Sequence, residues 1–465
     1  MLKTRLFRFF SILVTLSCNI GYSSLAQTDT IRVMTYNVLN YGSYPLCQGP
    51  NSVYNAYLET IVQFANPDII GLVKMGAIKT GPSDFHYSAA IDFQDSILQY
   101  ALNAAFPSRY TYCTMTNSAQ NTTDFSILFY NQQKLGFIDI TCHYVNTTDF
   151  NTYKLYYKDP NLTTTHDTTY LYVTLNHDIS GNGNEAQRGT QIAGEMTQIS
   201  GHFTHLANMI NMGDFNLRYS TESCYQTLTA PTDTNFRYYD PPYYPDAVLT
   251  YPSNWDANPS AYSSYLTTST RKLSSVPNSC GTNGGGKNWY DHILLSPWIV
   301  NNANYISYIP HSYRTIGNDG NRTGISINDI PTNTSAPAAV INALFQMSNK
   351  YPVMVELTVT SNTTGTSLPD PEITPSAVIG QSLIKEQATI VNPVGSAIIL
   401  NLSNNLVNHL ISIDCIDMMG RSQIHQTILV HSEMEEIPCN LQPGIYCIKI
   451  ADDRNIIYRS VVTKY

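Results

Sequence analysis

Charged side chains are scarce in this chain, at 13% of its 465 residues, which is about half of the ~25% usual in globular domains. No CxxC pair occurs, so a zinc-thiolate site is not expected. No apolar run beyond the amino terminus is long enough to span a bilayer. Hydrophobic residues nevertheless reach 43%, which provides a core and excludes wholesale disorder, a collagen and a coiled coil.

Polarity is supplied mainly by Asn, Thr, Ser and 34 tyrosines, a composition that suits a β-rich extracellular surface. The net charge of −9 and a pI near 5.6 argue against a protein that holds DNA by bulk electrostatics. Duplex DNA is therefore a partner that the net charge does not favour. The net charge does not exclude a site that binds a single phosphate group.

The first 26 residues have the pattern of a secretory signal peptide. Lys3, Arg5 and Arg8 precede a short apolar segment, 9–16, and small residues surround Ala26. We therefore expect export, which permits disulfides. The cysteines that remain after cleavage match no framework by their spacing, so we expect mostly free thiols and one or two bridges.

Strand and helix patterns alternate as far as residue 360, which predicts a layered α/β domain. Strands are expected at 31–39, 68–73, 109–115, 124–130, 136–145, 169–176, 209–212, 291–296 and 352–360. Helices are expected at 52–65, 89–103 and 185–205. Residues 217–288 are rich in Tyr, Pro, Ser and Asn, and we interpret them as long surface loops.

The pattern changes near the carboxyl terminus. Residues 361–385 contain few large apolar side chains and are typical of a linker. Short strands separated by turns follow, which predicts a small all-β sandwich. They are expected at 387–391, 396–402, 410–416, 425–431, 444–450 and 456–463.

Three motifs in this tail occur in a fixed order. They are Asn392-Pro393-Val394, the turn at 417–421, and the segment 441–446 followed by 448–450. Together they resemble the C-terminal sorting domain of proteins exported by the bacterial type IX secretion system. The resemblance implies partnership with that machinery and a secreted or cell-surface location. From the strand pattern alone, an accessory carbohydrate-binding or adhesion sandwich is the alternative.

In the main domain, polar side chains follow apolar strands at several points, where α/β folds place reactive groups. The candidates are Asn37, His177, Asp214, Asn216 and Asp291. A carboxylate beside an amide can orient a water, a histidine can donate to an oxyanion, and an asparagine can be a metal ligand. The simpler interpretations stay open: an Asx turn, a structural histidine and a strand cap.

The ordered set resembles the endonuclease/exonuclease/phosphatase (DNase-I-like) superfamily over about residues 30–360, and the segment 184–188 fits as well. The resemblance implies a four-layered α/β sandwich, with two packed mixed sheets flanked by helices, before the small Ig-like β-sandwich of the tail. It also implies metal-dependent hydrolysis of phosphate esters. The expected domains are a signal peptide 1–26, a main domain 27–362, a linker 363–385 and a sorting domain 386–465.

By position, the resemblance implies a role for each candidate. His177 corresponds to the histidine that contacts the scissile phosphate, and Asp214 to the carboxylate that orients or deprotonates the attacking water. Asn216 corresponds to the partner that steadies the phosphate or the metal. Asp291 corresponds to an aspartate that supports the site from behind, and Asn37 to a metal-site asparagine.

Three positions depart from the family pattern. Lys74 stands where the principal glutamate ligand of magnesium is expected, Asn349 replaces an aspartate, and Lys350 replaces the catalytic histidine. Magnesium needs anionic oxygen ligands, and lysine is a poor base near neutral pH. We therefore expect a catalytically impaired member of the family, with Mg²⁺ or Mn²⁺ as cofactor if it is active and otherwise none.

Two alternatives remain. The chain binds a phosphorylated or other anionic ligand on the cell surface without catalysis, or it is an adhesin without a site. Activity could still be rescued if Asp92, Asp95 or Glu59 supplied the missing acid at the metal site, and only the fold can decide this.

Overall fold

A computed structural model gives the conformation of most of the chain. The residues described are 27–41, 51–76, 88–89, 91–113, 124–145, 148–244, 255–273, 277, 280–373, 388–390, 394–402, 406–417, 421–451 and 456–464. The expected signal peptide 1–26 and the motif residues Asn392 and Pro393 lie outside these ranges. The chain divides into two compact units at Thr374/Pro375.

The first unit contains fourteen described strands. They are β1 (Thr28–Tyr41), β2 (Ile69–Gly76), β3 (Ser88–Ala89), β4 (Ile91–Asp92), β5 (Tyr110–Tyr112), β6 (Asp124–Asn131), β7 (Leu135–Val145), β8 (Thr148–Tyr157), β9 (Tyr170–His177), β10 (Met209–Asp214), β11 (Asp291–Leu295), β12 (Ile306–Tyr308), β13 (Arg314–Thr315) and β14 (Val353–Thr360). Each of the nine strands expected before residue 361 is confirmed, with ends that differ by a few residues.

The helices of this unit are mostly short. They are α1 (Asn51–Ala65), α2 (Phe93–Ile97), α3 (Asn103–Ala105), α4 (Leu162–Thr165), α5 (Glu185–His202), α6 (Ser223–Thr229), α7 (Pro297–Val300) and α8 (Ala338–Met347). The helices expected at 52–65 and 185–205 are confirmed as α1 and α5. The helix expected at 89–103 is instead two α-helical segments joined by a π-helical turn, Leu98–Leu102.

Two mixed sheets form the centre of the unit. One has seven strands in the order β12-β14-β1-β2-β6-β5, with β13 also paired to β14. The other has five strands in the order β11-β10-β9-β8-β7. Each sheet holds one parallel pair, β1 with β2 and β9 with β10, and the remaining pairs are antiparallel. The carboxyl ends of both parallel pairs therefore carry adjacent side chains.

The two sheets pack face to face. A Cβ atom placed on Gly71 of β2 would meet Leu175 of β9 at 2.5 Å and Met212 of β10 at 2.7 Å, so the sheets are in close contact there and a larger residue would displace these two side chains. On the outer face of the first sheet, Met34 is buried with Leu58 of α1 and other helical residues. This close contact fixes the separation of the two sheets below the site.

Helix α5 covers the outer face of the second sheet. A Cβ on its Gly194 would meet Val145 of β7 at 2.3 Å, and Glu195 accepts a 2.7 Å hydrogen bond from Asn211 of β10. With α1 and α8 on the other side, the order is helices, sheet, sheet, helices. The expected four-layered α/β sandwich is confirmed.

Parts of the Tyr- and Pro-rich segment 217–288 are packed into the core, so its interpretation as surface loops is wrong for those parts, whereas residues such as 232–235 and 281–283 are exposed. Tyr225, Trp255 and Tyr238 are fully buried. The ring of Trp255 lies 5.2 Å from that of Tyr225 and 4.9 Å from that of Trp289, centroid to centroid. Large aromatic side chains supply much of the apolar area of a core, so this segment stabilises the main domain.

Residues 363–373, which fall in the expected linker, form a strap on the first unit. Thr204 N donates to Pro371 O at 2.9 Å, and Ile373 N donates to His202 O. The carboxylate of Asp370 accepts a 2.7 Å hydrogen bond from the Tyr172 hydroxyl and lies 2.8 Å from Lys154 Nζ. Ordered contacts of the first unit thus continue to the edge of the described range.

We expect Tyr172→Phe to loosen this strap. The variant loses the hydroxyl that donates to Asp370, which should lower the free energy of unfolding by about 1–2 kcal/mol. Tyr170→Phe is the matched control, because the Tyr170 hydroxyl donates to no residue among those described. Urea denaturation and protease cleavage within 363–373 measure the effect, and equal behaviour of the two variants would contradict the assignment.

The second unit consists of strands only, where it is described, apart from turns. They are β15 (Ala388–Ile390), β16 (Ala397–Leu402), β17 (Leu410–Asp417), β18 (Ser422–Leu429), β19 (Met434–Pro438), β20 (Gly444–Ala451) and β21 (Ile456–Lys464). They form a three-stranded and a four-stranded sheet that share a core containing Ile398, Leu400, Ile413 and Ile448. The expected small all-β unit is confirmed, and β19 was not expected.

Two further observations bear on export and membranes. Among the described cysteines, Cys280 is disulfide-bonded, and Cys113, Cys224, Cys415, Cys439 and Cys447 are free thiols. No helix in the described ranges is both long and apolar enough to cross a bilayer.

Candidate functional site

The carboxyl ends of the two parallel strand pairs meet at one edge of the sandwich. Asn37 lies near the end of β1 and Lys74 near the end of β2, while His177 and Asp214 end β9 and β10. His177 and Asp214 are register partners, and Asp214 is also paired with Asp291 at the start of β11. Asn216 follows Asp214 by two residues and donates to its carboxylate, so the fold brings all five predicted site residues, and the substituted Lys74, to one edge.

Both the nitrogen and the oxygen of the Asn37 side-chain amide make a hydrogen bond within the protein. Its side-chain nitrogen donates to Asp214 Oδ2 at 2.8 Å, and its oxygen accepts from the backbone nitrogen of Leu39 at 2.9 Å. Since a carboxylate needs a donor and a backbone N–H needs an acceptor, the amide orientation is determined. The oxygen that would bind a metal points to the backbone instead.

The Gly213–Asn216 turn is built by backbone geometry. A Cβ on Gly213 would lie 2.0 Å from the backbone oxygen of Asn176, so only glycine fits. Asn216 has a left-handed φ of 51°, donates its backbone N–H to Asp214 Oδ1 at 3.1 Å and its amide to Asp178 O at 2.8 Å. The segment is thus an Asx-type turn and also part of the site. The structural and the functional interpretation of this motif are therefore compatible.

Lys350 lies at the centre of the site. Its side chain is buried, and its Nζ is 2.8 Å from Asp214 Oδ2 and 3.4 Å from Asp291 Oδ2. The same ammonium lies over the ring of Tyr290, 4.6 Å from the centroid. Its backbone nitrogen donates to Ser348 Oγ. Lys350, at the position where the resemblance implies a histidine, is therefore held as an ion-pair partner of both site carboxylates.

The pKa values of these groups depend on one another. Burial alone would raise the pKa of Asp214, but the Lys350 ammonium and His177 lower it to about 2. Burial and the neighbouring charge of Asp214 raise the pKa of Asp291 to about 7. Burial lowers the pKa of Lys350, yet the two carboxylates outweigh this effect and raise it. Lys350 thus stays protonated and cannot accept a proton at neutral pH.

Lys74 occupies an irregular position at the end of β2. Its φ of 58° is left-handed, which is uncommon for a side chain other than glycine, and the β1–β2 register shifts around it. Leu39 at the end of β1 and Asn216 after β10 are left-handed as well. Such conformations concentrate at functional sites, and these three lie at neighbouring strand ends.

Asn349 contacts the 280–283 loop beside the site. Its side-chain nitrogen donates to Thr282 Oγ1 at 2.7 Å, and its backbone oxygen accepts from Thr270 N at 3.1 Å. A Cβ on Gly281 would meet the Asn349 side chain at 2.6 Å. Asn349 therefore packs tightly against the 280–283 loop.

An open cleft of about 480 Å³ lies over these residues. The predicted residues Lys74, Asp214, Asn216, Asn349 and Lys350 line it, whereas Asn37, His177 and Asp291 do not. The rest of the lining was not predicted: Ser180, Gly181, Asn182, Arg218, Gly281, Thr282, Asn283, Lys287, Asn288 and Tyr290. Of these, Asn182, Arg218 and Tyr290 had a usable signal, because each lies within two residues of a predicted motif.

The acids proposed to replace the missing ligand are elsewhere, as far as they are described. Asp95 is exposed and accepts a hydrogen bond from Tyr112, and Glu59 is half-buried on α1 and accepts one from Gln63. The side chain of Asp92 lies outside the described residues. His292 is fully buried and stacks on Trp289 with ring centroids 4.6 Å apart, so it lies in the core and not in the cleft.

The residues present do not fit the divalent metal that the family resemblance implies. No group of three His, Cys, Asp or Glu side chains in the described part of the chain could hold a metal ion. The ammonium of Lys350 already neutralises Asp214, and the Asn37 oxygen is used by the backbone. Magnesium prefers carboxylate and carbonyl oxygens that are free to approach to about 2.1 Å.

Comparisons with known proteins concern the fold only. No protein-family model and no curated protein matches the chain. The chain is similar to solved structures of the human Nocturnin catalytic domain (14% identity, 71% of this chain and 97% of that chain, TM-score 0.41) and of Danio rerio TDP2 (14%, 71% and 99%, 0.42). An endonuclease/exonuclease/phosphatase from Beutenbergia cavernae covers 94% of this chain and 100% of its own, at 12% identity and a TM-score of 0.36.

Proposed function

We propose that this protein binds a phosphorylated or other anionic ligand in the cleft without a divalent metal, and that it hydrolyses phosphate esters poorly or not at all. Four cationic side chains line the cleft, namely Lys74, Arg218, Lys287 and Lys350, against one carboxylate, that of Asp214. This carboxylate is already ion-paired. In a chain of net charge −9, such a local excess of cations is the observation that carries the proposal.

Two of the cations are available to a ligand. Lys350 is held by two carboxylates, and Arg218 is held by Asp256. Lys74 and Lys287 make no ion pair with any residue that the structure describes, and Lys287 is exposed. Hydrogen-bond donors surround them, including the amides of Asn182 and Asn283. Ammonium groups and amide donors of this kind recognise phosphate oxygens.

The same arrangement disfavours catalysis. A base at position 350 would have to release its proton near neutral pH, but its carboxylate partners raise the pKa of Lys350. An oxygen ligand at position 74 is replaced by an ammonium. Loss of a single essential group commonly costs orders of magnitude in rate, and here two are changed.

The proposed location is outside the cell or on its surface. The amino-terminal segment has the signal-peptide pattern, and the tail motifs resemble a type IX sorting domain. The separate strand-only unit after residue 375 is compatible with a removable sorting tail. Detection of the mature chain in the culture medium, and its loss on deletion of 386–465, would test this part.

Ligand binding is tested by calorimetry in EDTA, with inorganic phosphate and 4-nitrophenyl phosphate as probes. We expect binding that weakens with salt and a loss of at least about tenfold in affinity for the Lys74→Ala/Lys287→Ala double variant. Lys158→Ala, an exposed lysine outside the cleft, is the matched control. The proposal fails if neither probe binds, or if the double variant binds as well as the control.

A further inference from the structure

The ammonium of Lys350 is held in place from two directions. Its backbone nitrogen donates to Ser348 Oγ at 3.1 Å, and this hydroxyl in turn donates to the backbone oxygen of Asn37 at 2.8 Å. At the other end, Nζ lies within 3.4 Å of both Asp214 and Asp291. The side chain is 4% exposed. The ends of the strands therefore position the Lys350 ammonium as well as the carboxylates of Asp214 and Asp291.

The two carboxylates face each other because of strand register. Asp214 and Asp291 are directly paired across β10 and β11, and each is 1% exposed. Like charges at paired positions destabilise a sheet, and the cost grows when they are buried. Asn37 donates one hydrogen bond to Asp214, and Asp291 Oδ1 has no hydrogen-bond partner in the described structure. The Lys350 ammonium between these carboxylates therefore offsets part of their repulsion.

We propose that the Lys350 ammonium is a tethered replacement for a divalent cation, and that without it Asp214 and Asp291 form a latent divalent-metal site. When both carboxylates are ionised they carry a charge of −2, of which the ammonium compensates one unit and a divalent ion would compensate both. Truncation of the lysine would also vacate the volume between the carboxylates, which an ion and its water ligands could fill. This inference does not depend on which ligand the cleft binds.

An ordinary buried salt bridge makes a different prediction. If Lys350 only pairs with the carboxylates, its removal destabilises the protein and no small cation restores the loss. If the site is a cation site with a built-in occupant, an external cation of suitable charge restores it. The two cases are separated by the response of the variant to metal, read as stability and not as activity.

The experiment measures the midpoint of thermal unfolding of the mature full chain in EDTA, in Mn²⁺ and in ethylammonium chloride. The wild type should respond to none of them. Lys350→Ala should unfold at a lower temperature in EDTA and recover at least about half of the loss in millimolar Mn²⁺, as linkage to a native-state ligand requires. Ethylammonium, which mimics the missing side-chain end, should also restore part of it.

Two variants serve as controls. Lys350→Met keeps a long neutral side chain between the carboxylates, so it should lose stability and gain nothing from Mn²⁺. Lys287→Ala removes an exposed cleft cation and should acquire no response to Mn²⁺. The inference is overturned if Lys350→Ala unfolds at the same temperature in EDTA and in Mn²⁺, or if the wild type gains as much from Mn²⁺ as the variant does.

If Lys350→Ala does not fold in EDTA, the inference is tested by comparing the yield of refolded protein in Mn²⁺ with the yield in EDTA. Recovery of folded protein in Mn²⁺ but not in EDTA supports the inference. Lys350→Ala/Asp291→Asn leaves one buried carboxylate, so it should refold without metal and bind Mn²⁺ at least about tenfold more weakly than the single variant does. The inference is wrong if Lys350→Ala refolds neither in EDTA nor in Mn²⁺ while Lys350→Ala/Asp291→Asn refolds in both.

Discussion

Arg188→Ala is expected to lower the free energy of unfolding by about 3–5 kcal/mol, the usual cost of leaving one partner of a buried ion pair alone. Arg188 is fully buried on α5, with Nε 2.9 Å and Nη2 2.8 Å from Glu222 Oε2. Its Nη1 also donates to the backbone oxygens of Ile179 and Gly181. The substitution therefore removes the cation that pairs with the Glu222 carboxylate and the donor to two backbone oxygens.

Urea denaturation of three variants separates these contributions. Arg188→Lys keeps the charge but loses the planar fork, so it should lose about half as much stability. Arg188→Ala/Glu222→Gln should recover part of the loss, because no buried charge is left unpaired. A cost below about 1 kcal/mol for Arg188→Ala would contradict this account. Because Gly181 lines the cleft, ligand affinity should fall in Arg188→Ala as well.

The layered core could be predicted because its signals are local. In β1, Val33 faces the second sheet and Met34 faces the helices, so an alternating sequence that is apolar on both faces marks a buried strand. In β10, every residue is buried, which matches the short apolar run in the sequence. These patterns need no knowledge of distant residues.

Other elements depend on contacts that the sequence does not display. Strand β8 mixes Thr, Asp, Asn and Lys with aromatic residues and was not predicted, but pairing with β7 and β9 buries most of its side chains. Trp255 lies in a segment with loop-like composition, and its burial follows from packing against Tyr225 and Trp289. Composition cannot reveal such burial, because the partners are distant in the chain or the element is partly polar.

The site shows the same division. The order of strand-end motifs located Asp214, Asp291 and Lys350, because each follows or precedes an apolar strand. Their ion pairs join residues 136 and 59 positions apart, and only the register of β10, β11 and β14 brings them together. The sequence indicated that a cation replaces a catalytic group at position 350. It did not indicate that this cation occupies the space between the two carboxylates.

The Lys74→Glu/Asn349→Asp/Lys350→His variant is expected to gain metal-dependent phosphodiesterase activity of at least about 10²-fold over the wild type, in the range that a positioned general base supplies. The glutamate adds an anionic oxygen at the end of β2, and the aspartate adds another beside the cleft. The histidine removes the ammonium that neutralises Asp214 and can exchange a proton near neutral pH. Release of 4-nitrophenol from bis(4-nitrophenyl) phosphate, with Mg²⁺, Mn²⁺ or EDTA, measures the gain.

Two controls make the result specific. Addition of Asp214→Asn to the triple variant should abolish the gain, since the carboxylate that orients water is then missing. Lys74→Glu alone should gain little, because Lys350 still occupies the centre of the site. Wild-type turnover that EDTA abolishes would show that the unaltered chain is an active metalloenzyme, and the proposed metal-free binding function would then be wrong.

Recovery of activity is a reasonable expectation because the backbone of the site is retained. The tight turn at Gly213, the left-handed Asn216 that donates to Asp214, and the irregular end of β2 at Lys74 all belong to this backbone. Such backbone features are costly to build and position catalytic side chains to within fractions of an ångström. If three side-chain changes restore turnover, the loss of catalysis lies in the charges placed on this backbone. If they restore metal binding without turnover, the cleft above them has been reshaped for a ligand that is held and not cleaved.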